Sequence, residues 1–282
     1  MGREDAMRPI QEQTILITGA TDGLGRATAR ELAALGAAVI IHGRNRERIE
    51  ATVNDIAAAT GNRKLKCCLA DLSDLAQVRR LADQVMAETP RLDTLINNAG
   101  IGAGNLKAAR REVSADGIEL RFAVNYLAPF LLSRRLLPLL RDSVPSRIIN
   151  VASVGQAPID FDDPMLERDY DGFRAYRQSK LALIMDTIDF ASELKDTGVT
   201  VNCLHPASLM NTKMVMEWFG YTRSRVEDGV SALLHMATSP QFDRLSGRYY
   251  DQKTEARANA QAYDPAARER LQKLSRELAS LA

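Results

Sequence analysis

Residues 14–35 read TILITGATDGLGRATARELAAL: an apolar run, a turn with three glycines, and a helical pattern. The glycines follow the spacing Gly19-x3-Gly23-x-Gly25. Glycine at a strand-to-helix junction lets the backbone turn sharply and approach a bound group closely. The amides and the positive dipole end of the following helix favour a phosphate there. The pattern therefore predicts a phosphate-binding turn, with a purely structural turn as the alternative.

Apolar runs alternate with helical patterns along the rest of the chain. We predict strands over residues 14–18, 39–43, 64–72, 92–100, 147–153, 199–206 and 248–251. We predict helices over residues 23–35, 46–59, 75–87 and 115–140, and a further helix that contains Tyr176 and runs to about residue 195. Nearly continuous apolar strands joined by helices indicate a parallel sheet covered on both faces. We expect an α/β, doubly wound, seven-stranded Rossmann fold.

The chain shows no repeat and no linker rich in Pro, Gly or Ser, so we expect one domain over residues 1–282. A polar extension over 1–12 and a charged helical tail over 255–282 flank it. The start of the chain lacks the apolar core of a signal peptide. Arg134 and Arg135 interrupt the most apolar stretch, residues 122–140, which argues against a membrane span.

Composition excludes several classes of function. The net charge is +1, and no basic stripe interleaved with aromatic residues is present, so nucleic acid is not an expected partner. Three cysteines, two of them adjacent, fit neither a disulfide framework nor a usual zinc site. His42, His205 and His235 are scattered, and we expect no metal. This cysteine usage favours a reducing cytoplasm.

The end of the second predicted strand reads His42-Gly43-Arg44-Asn45. A carboxylate usually stands at this place when the ribose 2′-hydroxyl of NAD is bound. Arg44 can instead pair with a 2′-phosphate and stack on adenine. We therefore expect NADP(H), contacted by Arg44 and Asn45, with a surface role for Arg44 as the alternative.

Tyr176 and Lys180 are four residues apart on a predicted helix, so their side chains meet. A neighbouring ammonium favours the phenolate and lowers the pKa of a tyrosine, which then can pass a proton to or from a substrate oxygen. Ser153 ends a predicted parallel strand, where ligands of such sheets bind. Its hydroxyl could bond a substrate carbonyl. Asn125 could support a water chain behind Lys180, or could be a buried residue that kinks its helix.

These motifs together resemble the short-chain dehydrogenase/reductase family over residues 12–250. The resemblance rests on TGATDGLG (18–25), Asp71-Leu72, NNAG (97–100), Asn125, Ser153, Tyr176 and Lys180. The HGRN segment, the segment before Tyr176 and GRYYDQKTEAR are similar to the branch around retinol dehydrogenases and carbonyl reductases. The family implies hydride transfer between a carbonyl and an alcohol, and a homodimer or homotetramer.

The resemblance also implies a role for each matched residue. Tyr176 would be the general acid or base, Lys180 would hold the nicotinamide ribose, Ser153 would orient the carbonyl, and Asn125 would support the proton relay. The residues that would contact the cofactor are Gly19, Thr21, Asp22, Gly23, Leu24 and Gly25 at the phosphates, Asp71 and Leu72 at the adenine, Asn98, Ala99 and Gly100 at the ribose, and Pro206, Ala207, Leu209 and Thr212 at the nicotinamide.

The chain departs from the family pattern at two places. Pro206-Ala207 stands where Pro-Gly is common, and Thr212 comes one place late, which puts the nicotinamide contacts in doubt. The segment between Ser153 and Tyr176 is also long, and we expect it to form a loop at the mouth of the cleft.

Methionines and aromatic residues cluster after residue 206, among them Met210, Met214 and Trp218. Such side chains make adaptable apolar pockets, so we predict a lid over a lipophilic or cyclic ketone, aldehyde or alcohol. Ordinary helix packing is the alternative. Gly102 and Gly104 could let a nearby loop flex, or could belong to a tight turn.

Two other functions remain open. The chain could be a catalytically silent NADP(H)-binding sensor or scaffold, although the complete set of Ser, Tyr, Lys and Asn argues against this. It could also be a nucleotide-sugar epimerase or dehydratase of the related extended family. Those enzymes need a larger C-terminal substrate region than this chain offers.

Overall fold

The structure is a computed structural model and describes residues 6–103 and 110–281. The first five residues of the predicted N-terminal extension, the last residue of the tail, and Gly104 lie outside this part of the chain.

One sheet forms the centre of the described molecule, in the order β3-β2-β1-β4-β5-β6-β7-β8. The strands are β1 (Thr14–Ile17), β2 (Ala38–Gly43), β3 (Leu65–Leu69), β4 (Thr94–Asn97), β5 (Ser146–Val151), β6 (Val199–His205), β7 (Tyr249–Asp251) and β8 (Thr254–Glu255). The first seven are parallel, and β8 pairs antiparallel with β7. The predicted doubly wound sheet is confirmed, but seven strands is one too few. A strand of two exposed residues carries no apolar pattern, so the sequence did not reveal β8.

Helices cover both faces of the sheet. They are α1 (Gly23–Ala34), α2 (Arg46–Thr60), α3 (Leu75–Glu88), α4 (Leu120–Phe122), α5 (Ala128–Arg135), α6 (Leu137–Arg141), α7 (Gly172–Glu193), α8 (Lys213–Phe219), α9 (Val226–Thr238) and α10 (Pro265–Leu278). α1 packs on α2 and α9, whereas α3, α5 and α7 pack together and form the second layer. None of the helices in the described part of the chain combines the length and apolar character that a bilayer span needs.

The helix predicted over 115–140 is wrong as a single element. Glu119 accepts a hydrogen bond from the Phe122 amide at 2.8 Å and starts α4 there. A π-helical turn, Ala123–Leu127, follows and joins α4 to α5. Pro129 and Pro138 stand in the first turns of α5 and α6, where a missing N–H does no harm. These local features divide an apolar stretch whose periodicity alone reads as one helix.

The tail folds as a short 3-10 helix, Ala260–Tyr263, followed by α10. α10 lies on the α3, α5 and α7 layer. Ser275 Oγ is 2.5 Å from the Tyr126 hydroxyl, and Arg268 pairs with Asp189 of α7 at 2.9 Å. The buried side chains of Ala267 and Leu271 join the same core cluster. The tail is therefore part of the folded body, not a loose surface helix.

Candidate active site

The glycine turn connects β1 to α1 and passes closely over the end of β4. Gly19 has φ +65°, and a Cβ atom there would lie 2.8 Å from the Ala99 Cα. A Cβ on Gly25 would overlap the Asn98 side chain and the Gly19 carbonyl. Gly19 is required by its backbone conformation, and Gly25 is required because other atoms approach it closely.

Three side chains that sequence reasoning did not assign to this task hold the turn. Asn98 Nδ2 donates to the carbonyls of Thr18 at 2.8 Å and Gly19 at 3.2 Å. Thr18 Oγ1 accepts from the amides of Asn98 and Ala99, at 3.0 Å each. His42 accepts from the Gly19 amide through Nδ1 at 3.1 Å. Asn98 was predicted to line the ribose, but its amide group binds the turn.

His42 is neutral, and its tautomer follows from its two partners. Burial is the largest effect and lowers the pKa of His42 to about 4. Because Nδ1 accepts from Gly19, Nε2 carries the proton and donates to the Ala70 carbonyl at 3.1 Å. A polar residue inside the apolar strand β2 was the only sequence signal for this role.

The start of α1 fits an anionic group. Asp22 caps the helix by accepting from the Gly23 amide at 2.8 Å. The first amides of a helix have no partners within it, so this end offers N–H donors to a pyrophosphate. The buried Leu24 and Gly25 form the first turn. The Asp22 carboxylate would repel an anion, but Arg48 pairs with it at 2.9 Å and offsets that charge.

The end of β2 lies beside the glycine turn. Ala20 donates to the His42 carbonyl at 2.9 Å, and a Cβ on Gly43 would lie 2.7 Å from the Thr21 Cγ2. Arg44 is exposed at this edge, next to Asn45, which caps α2 by accepting from the Arg48 amide at 2.9 Å. Arg44 is therefore an exposed residue beside the glycine turn, while the Asn45 side chain is engaged in the cap.

The residues after β3 and β4 border the same edge. The Asp71 carboxylate accepts from the Ser73 amide at 2.9 Å and hydroxyl at 2.8 Å, and Leu72 is buried. A Cβ on Gly100 would lie 3.4 Å from Asn125 Oδ1 and 3.5 Å from Lys180 Nζ. Gly100 thus joins the glycine turn to the proposed catalytic residues.

Tyr176 and Ser153 face each other across the cleft. The Ser153 hydroxyl lies beside the Tyr176 ring, since a Cβ on Gly155 would be 3.3 Å from Ser153 Oγ and 3.7 Å from Tyr176 Cε1. A hydrogen bond from Ser153 would favour the phenolate and lower the pKa of Tyr176. Ser153 Oγ also accepts from the Gly155 amide at 3.0 Å, which leaves the serine proton free to point at the phenol. Burial nevertheless outweighs this bond and raises the pKa of Tyr176. The expectation of a lowered pKa is not met in this structure, because desolvation of the half-buried phenol disfavours the phenolate more than Ser153 favours it.

Lys180 is buried one helical turn after Tyr176. Nζ donates to the Val151 carbonyl at 2.8 Å and lies 5.9 Å from the centroid of the Tyr176 ring. Desolvation lowers the pKa of Lys180 to about 8. The ammonium is therefore held by the end of β5 rather than by the phenol.

Asn125 lies in the π-helical turn and is fully buried. Its side chain pairs with both backbone groups of Ile101, accepting from N at 2.8 Å and donating to O at 3.0 Å. Nδ2 also donates to Ser179 Oγ at 3.0 Å, and Ser179 donates to the Tyr176 carbonyl at 2.7 Å. Asn125 thus links the loop after β4 to the helix that carries Tyr176. The buried residue at a helix irregularity is confirmed, because the widened turn brings the Asn125 amide to that loop, and the water chain behind Lys180 stays a prediction.

The segment after β6 returns to the glycine turn. Pro206 and Ala207 are buried, and Leu209 has φ +49°. Thr212 caps α8, and its Cγ2 would lie 3.5 Å from a Cβ on Gly23. The late Thr212 therefore still reaches the turn.

The three predicted substrate residues separate in the structure. Met210 packs against α9, where a Cβ on Gly229 would lie 2.5 Å from its Sδ and 3.1 Å from the Leu24 side chain. Met214 is half-buried on α8. Trp218 lies against Tyr176, with ring centroids 5.2 Å apart and planes at 87°. Of the three, Trp218 is the one that the structure brings to the candidate catalytic tyrosine.

Trp218 rests on the loop after β4. A Cβ on Gly102 would overlap the indole ring, so glycine leaves the space that the ring fills. Phe173 packs on Trp218 with ring centroids 5.9 Å apart. Within residues 6–103 and 110–281, no group of three or more His, Cys, Asp or Glu side chains could hold a metal ion.

Comparisons with known proteins agree with this geometry. Retinol dehydrogenase 13 of Mus musculus is 33% identical over 290 residues, covering 97% of this chain and 85% of that protein. Retinol dehydrogenase 14 of Homo sapiens is 35% identical, covering 95% of this chain and 87% of that protein. A Mycobacterium paratuberculosis protein of solved structure has a TM-score of 0.78 at 28% identity, covering 97% of this chain and 96% of that one.

A short chain dehydrogenase from Escherichia coli, solved in complex with NADPH, has a TM-score of 0.70 at 27% identity and covers 89% of this chain and 100% of that one. The sequence profile described as short chain dehydrogenase matches residues 13–221, which hold every candidate catalytic residue. The chain therefore belongs to the short chain dehydrogenase family.

Proposed function

We propose that this chain is an NADP(H)-dependent oxidoreductase that interconverts a carbonyl and an alcohol, with Asn125, Ser153, Tyr176 and Lys180 as its catalytic set. The observation that carries this proposal is the closeness of the Ser153 hydroxyl and the Tyr176 ring, which both lie next to Gly155, beside a buried Lys180. When bound, NADP(H) supplies or accepts the hydride. Everything else in the reaction falls to the side chains of this chain.

Tyr176 would move the proton. Burial raises the pKa of its phenol, so the hydroxyl stays protonated at neutral pH. This is the form that can protonate a carbonyl oxygen during reduction. Ser153 would donate to the same oxygen and orient it. Reduction is the working direction that we propose, since cellular NADPH usually serves as a reductant.

Lys180 and Asn125 would hold the catalytic side chains in position. Lys180 is fixed to the end of β5 through the Val151 carbonyl, and its charge would favour the phenolate that forms after proton transfer. Asn125 ties the loop after β4 to the helix of Tyr176. Both groups line the space next to Gly100, where the ribose of the cofactor is expected.

NADP(H) is supported by the end of β2, where Arg44 is exposed and no carboxylate stands. Arg44 would pair with the 2′-phosphate. The glycine turn, the start of α1 and Thr212 would hold the pyrophosphate. The Escherichia coli relative complexed with NADPH agrees with this assignment.

A lipophilic or cyclic aldehyde or ketone is the substrate class that we propose. Trp218 and Phe173 give the wall beside Tyr176 an aromatic character. Aromatic side chains bind planar or lipophilic substrates by burying apolar surface, and they exclude water from the reaction. Relatives named retinol dehydrogenase are consistent with that class.

The decisive experiment follows NADPH consumption with retinal, benzaldehyde, cyclohexanone and glucose. We expect turnover of the apolar carbonyls, and none with Tyr176→Phe, while NADPH still binds that variant in a fluorescence titration. Tyr221→Phe is the matched control, since Tyr221 is exposed and should retain full activity. Unchanged turnover in Tyr176→Phe would refute the assignment. NADPH binding without turnover of any carbonyl would favour the sensor or scaffold.

We also propose that the chain forms a homo-oligomer and is located in the cytoplasm. The three cysteines are free, which fits a reducing compartment. Helices α5 and α7 carry α10 on their surface through Arg134 and Gln272. An interface through this layer would therefore include α10.

A further inference from the structure

The segment between β8 and α10, residues 256–263, runs back to the loop that follows β5. We call these residues the C-terminal strap. Gln261 Oε1 accepts from the Ile159 amide at 2.6 Å, and its Nε2 donates to the Ile159 carbonyl at 3.1 Å. One side-chain amide thus satisfies both backbone groups of Ile159, as a neighbouring strand would.

A second bridge leads from the strap to Ser153 itself. The Asn259 amide donates to Gln156 Oε1 at 2.7 Å. The other end of Gln156 donates from Nε2 to the Ser153 carbonyl at 2.9 Å. Tyr249 donates to the same carbonyl at 3.3 Å. The backbone of Ser153 is therefore held from two sides, and one of them depends on the strap.

The strap is fixed independently of this loop. Ala262 is fully buried, and its carbonyl accepts from Arg268 at 3.4 Å. Arg268 pairs with Asp189 of α7, and Tyr126, next to Asn125, meets Ser275 of α10. A side chain on the strap therefore has a stable base from which to position the loop.

The loop needs such support. Residues 152–171 lie outside helices and strands, so no ladder of backbone hydrogen bonds orders them. Yet this stretch carries Ser153 at its start, and the proposed reaction needs the Ser153 hydroxyl beside Tyr176, where Gly155 is next to both side chains. Small errors in such alignment are costly, because a misplacement of about 1 Å can reduce a rate about a hundredfold.

We propose that Gln261 is a positioning residue for the reaction: by pairing with Ile159 it holds the loop after β5 so that the Ser153 hydroxyl stays aligned with Tyr176. This inference rests on the proposed roles of Ser153 and Tyr176. Gln261 contacts neither substrate nor cofactor in this account and acts only through the loop.

Two variants and one control test it with NADPH and retinal or benzaldehyde. Gln261→Ala removes both bonds to Ile159, and we expect kcat to fall about tenfold or more with NADPH binding unchanged. Gln261→Glu keeps the acceptor for the Ile159 amide and loses the donor, so its kcat should lie between that of the wild type and that of Gln261→Ala. Gln272→Ala is the matched control, because Gln272 donates to Asp186 on α7 and holds α10, not the loop.

Hydrogen exchange gives a readout that does not depend on turnover. The Gly155 amide donates to Ser153 Oγ, so its exchange rate reports the position of that hydroxyl. We expect faster exchange at Ile159 and Gly155 in Gln261→Ala and normal exchange at both in Gln272→Ala. Ser153→Ala should speed Gly155 alone.

The outcomes separate the two proposals. If Gln261→Ala frees Ile159 but leaves Gly155 exchange and kcat unchanged, the strap does not position Ser153. An equal loss of kcat in Gln272→Ala would also overturn the inference. If Ser153→Ala keeps full turnover, the proposed function fails, and the exchange rates still decide whether the strap holds the loop. Should Gln261→Ala not fold, Gln261→Glu carries the same tests.

Discussion

Replacing Lys180 with methionine should remove a large and pH-dependent penalty on stability. The side chain is 5% exposed, and its Nζ has the Val151 carbonyl as a partner at 2.8 Å. Desolvation lowers its pKa from 10.5 to about 8. Methionine has a similar length and carries no charge that burial can penalise.

The sign and the magnitude follow from linkage. A lysine with a lowered pKa in the folded state destabilises the fold fully below that pKa, and the penalty is relieved as pH rises toward the unfolded value. A shift from 10.5 to about 8 corresponds to about 3 kcal/mol. Relative to Lys180→Met, the wild type should therefore gain about 2–3 kcal/mol of unfolding free energy between about pH 7 and about pH 10.

Urea unfolding without added cofactor, followed by circular dichroism across that pH range, measures this gain. Loss of the bond to Val151 adds a constant offset to the difference in unfolding free energy. The change of that difference with pH therefore reports the ionisation of Lys180. Lys195→Met, at an exposed site just after α7, is the control and should show no such slope. The reasoning would be refuted if the unfolding free energy of the wild type, minus that of Lys180→Met, stayed constant or fell as the pH rises. The same variant should lose turnover, because the charge serves the reaction and not the fold.

Three further outcomes test other parts of the site. Arg44→Ala should weaken NADPH binding about tenfold or more and leave NADH binding unchanged in fluorescence titrations; an equal loss for both would contradict the 2′-phosphate contact. Gly102→Ala should displace Trp218, the sole tryptophan, and shift its emission to the red, whereas an unchanged spectrum would show that the indole does not rest there. Asn125→Ala should lower the free energy of unfolding by about 1–3 kcal/mol in urea, because both backbone groups of Ile101 lose their partner; an unchanged midpoint would contradict this.

The sequence predicted what depends on local conformation. Gly19 was recognisable because its turn needs a positive φ, and Tyr176 and Lys180 because a helix places residues four apart on one face. The parallel sheet covered by helices on both faces follows from the alternation of strands and helices. These features require no knowledge of distant contacts.

What the sequence could not reveal depends on contacts between distant segments. His42 meets Gly19 and Asn98 meets Thr18 only after the strands have assembled. Lys180 was expected to serve Tyr176 directly, but the end of β5 competes for its ammonium. The raised pKa of Tyr176 likewise comes from desolvation in the folded chain, where Trp218 packs against the ring, and no spacing along the chain encodes that contact.

The opposite shifts of the two catalytic side chains have one cause, and they predict how the two directions of the reaction respond to pH. Burial disfavours any charge, so it raises the pKa of Tyr176 and lowers that of Lys180. Reduction needs the neutral phenol, which dominates at neutral pH, whereas oxidation needs the phenolate. Below about pH 8, where Lys180 keeps its charge, the kcat/KM for benzaldehyde with NADPH should stay level and that for benzyl alcohol with NADP⁺ should rise with pH. Above that pH, the kcat/KM for reduction should fall as Lys180 loses its charge. Initial rates in both directions measure this, with Tyr176→Phe as the blank. An oxidation rate that is already level below about pH 8 would mean that another group takes the proton, and Tyr176 would lose its assigned role.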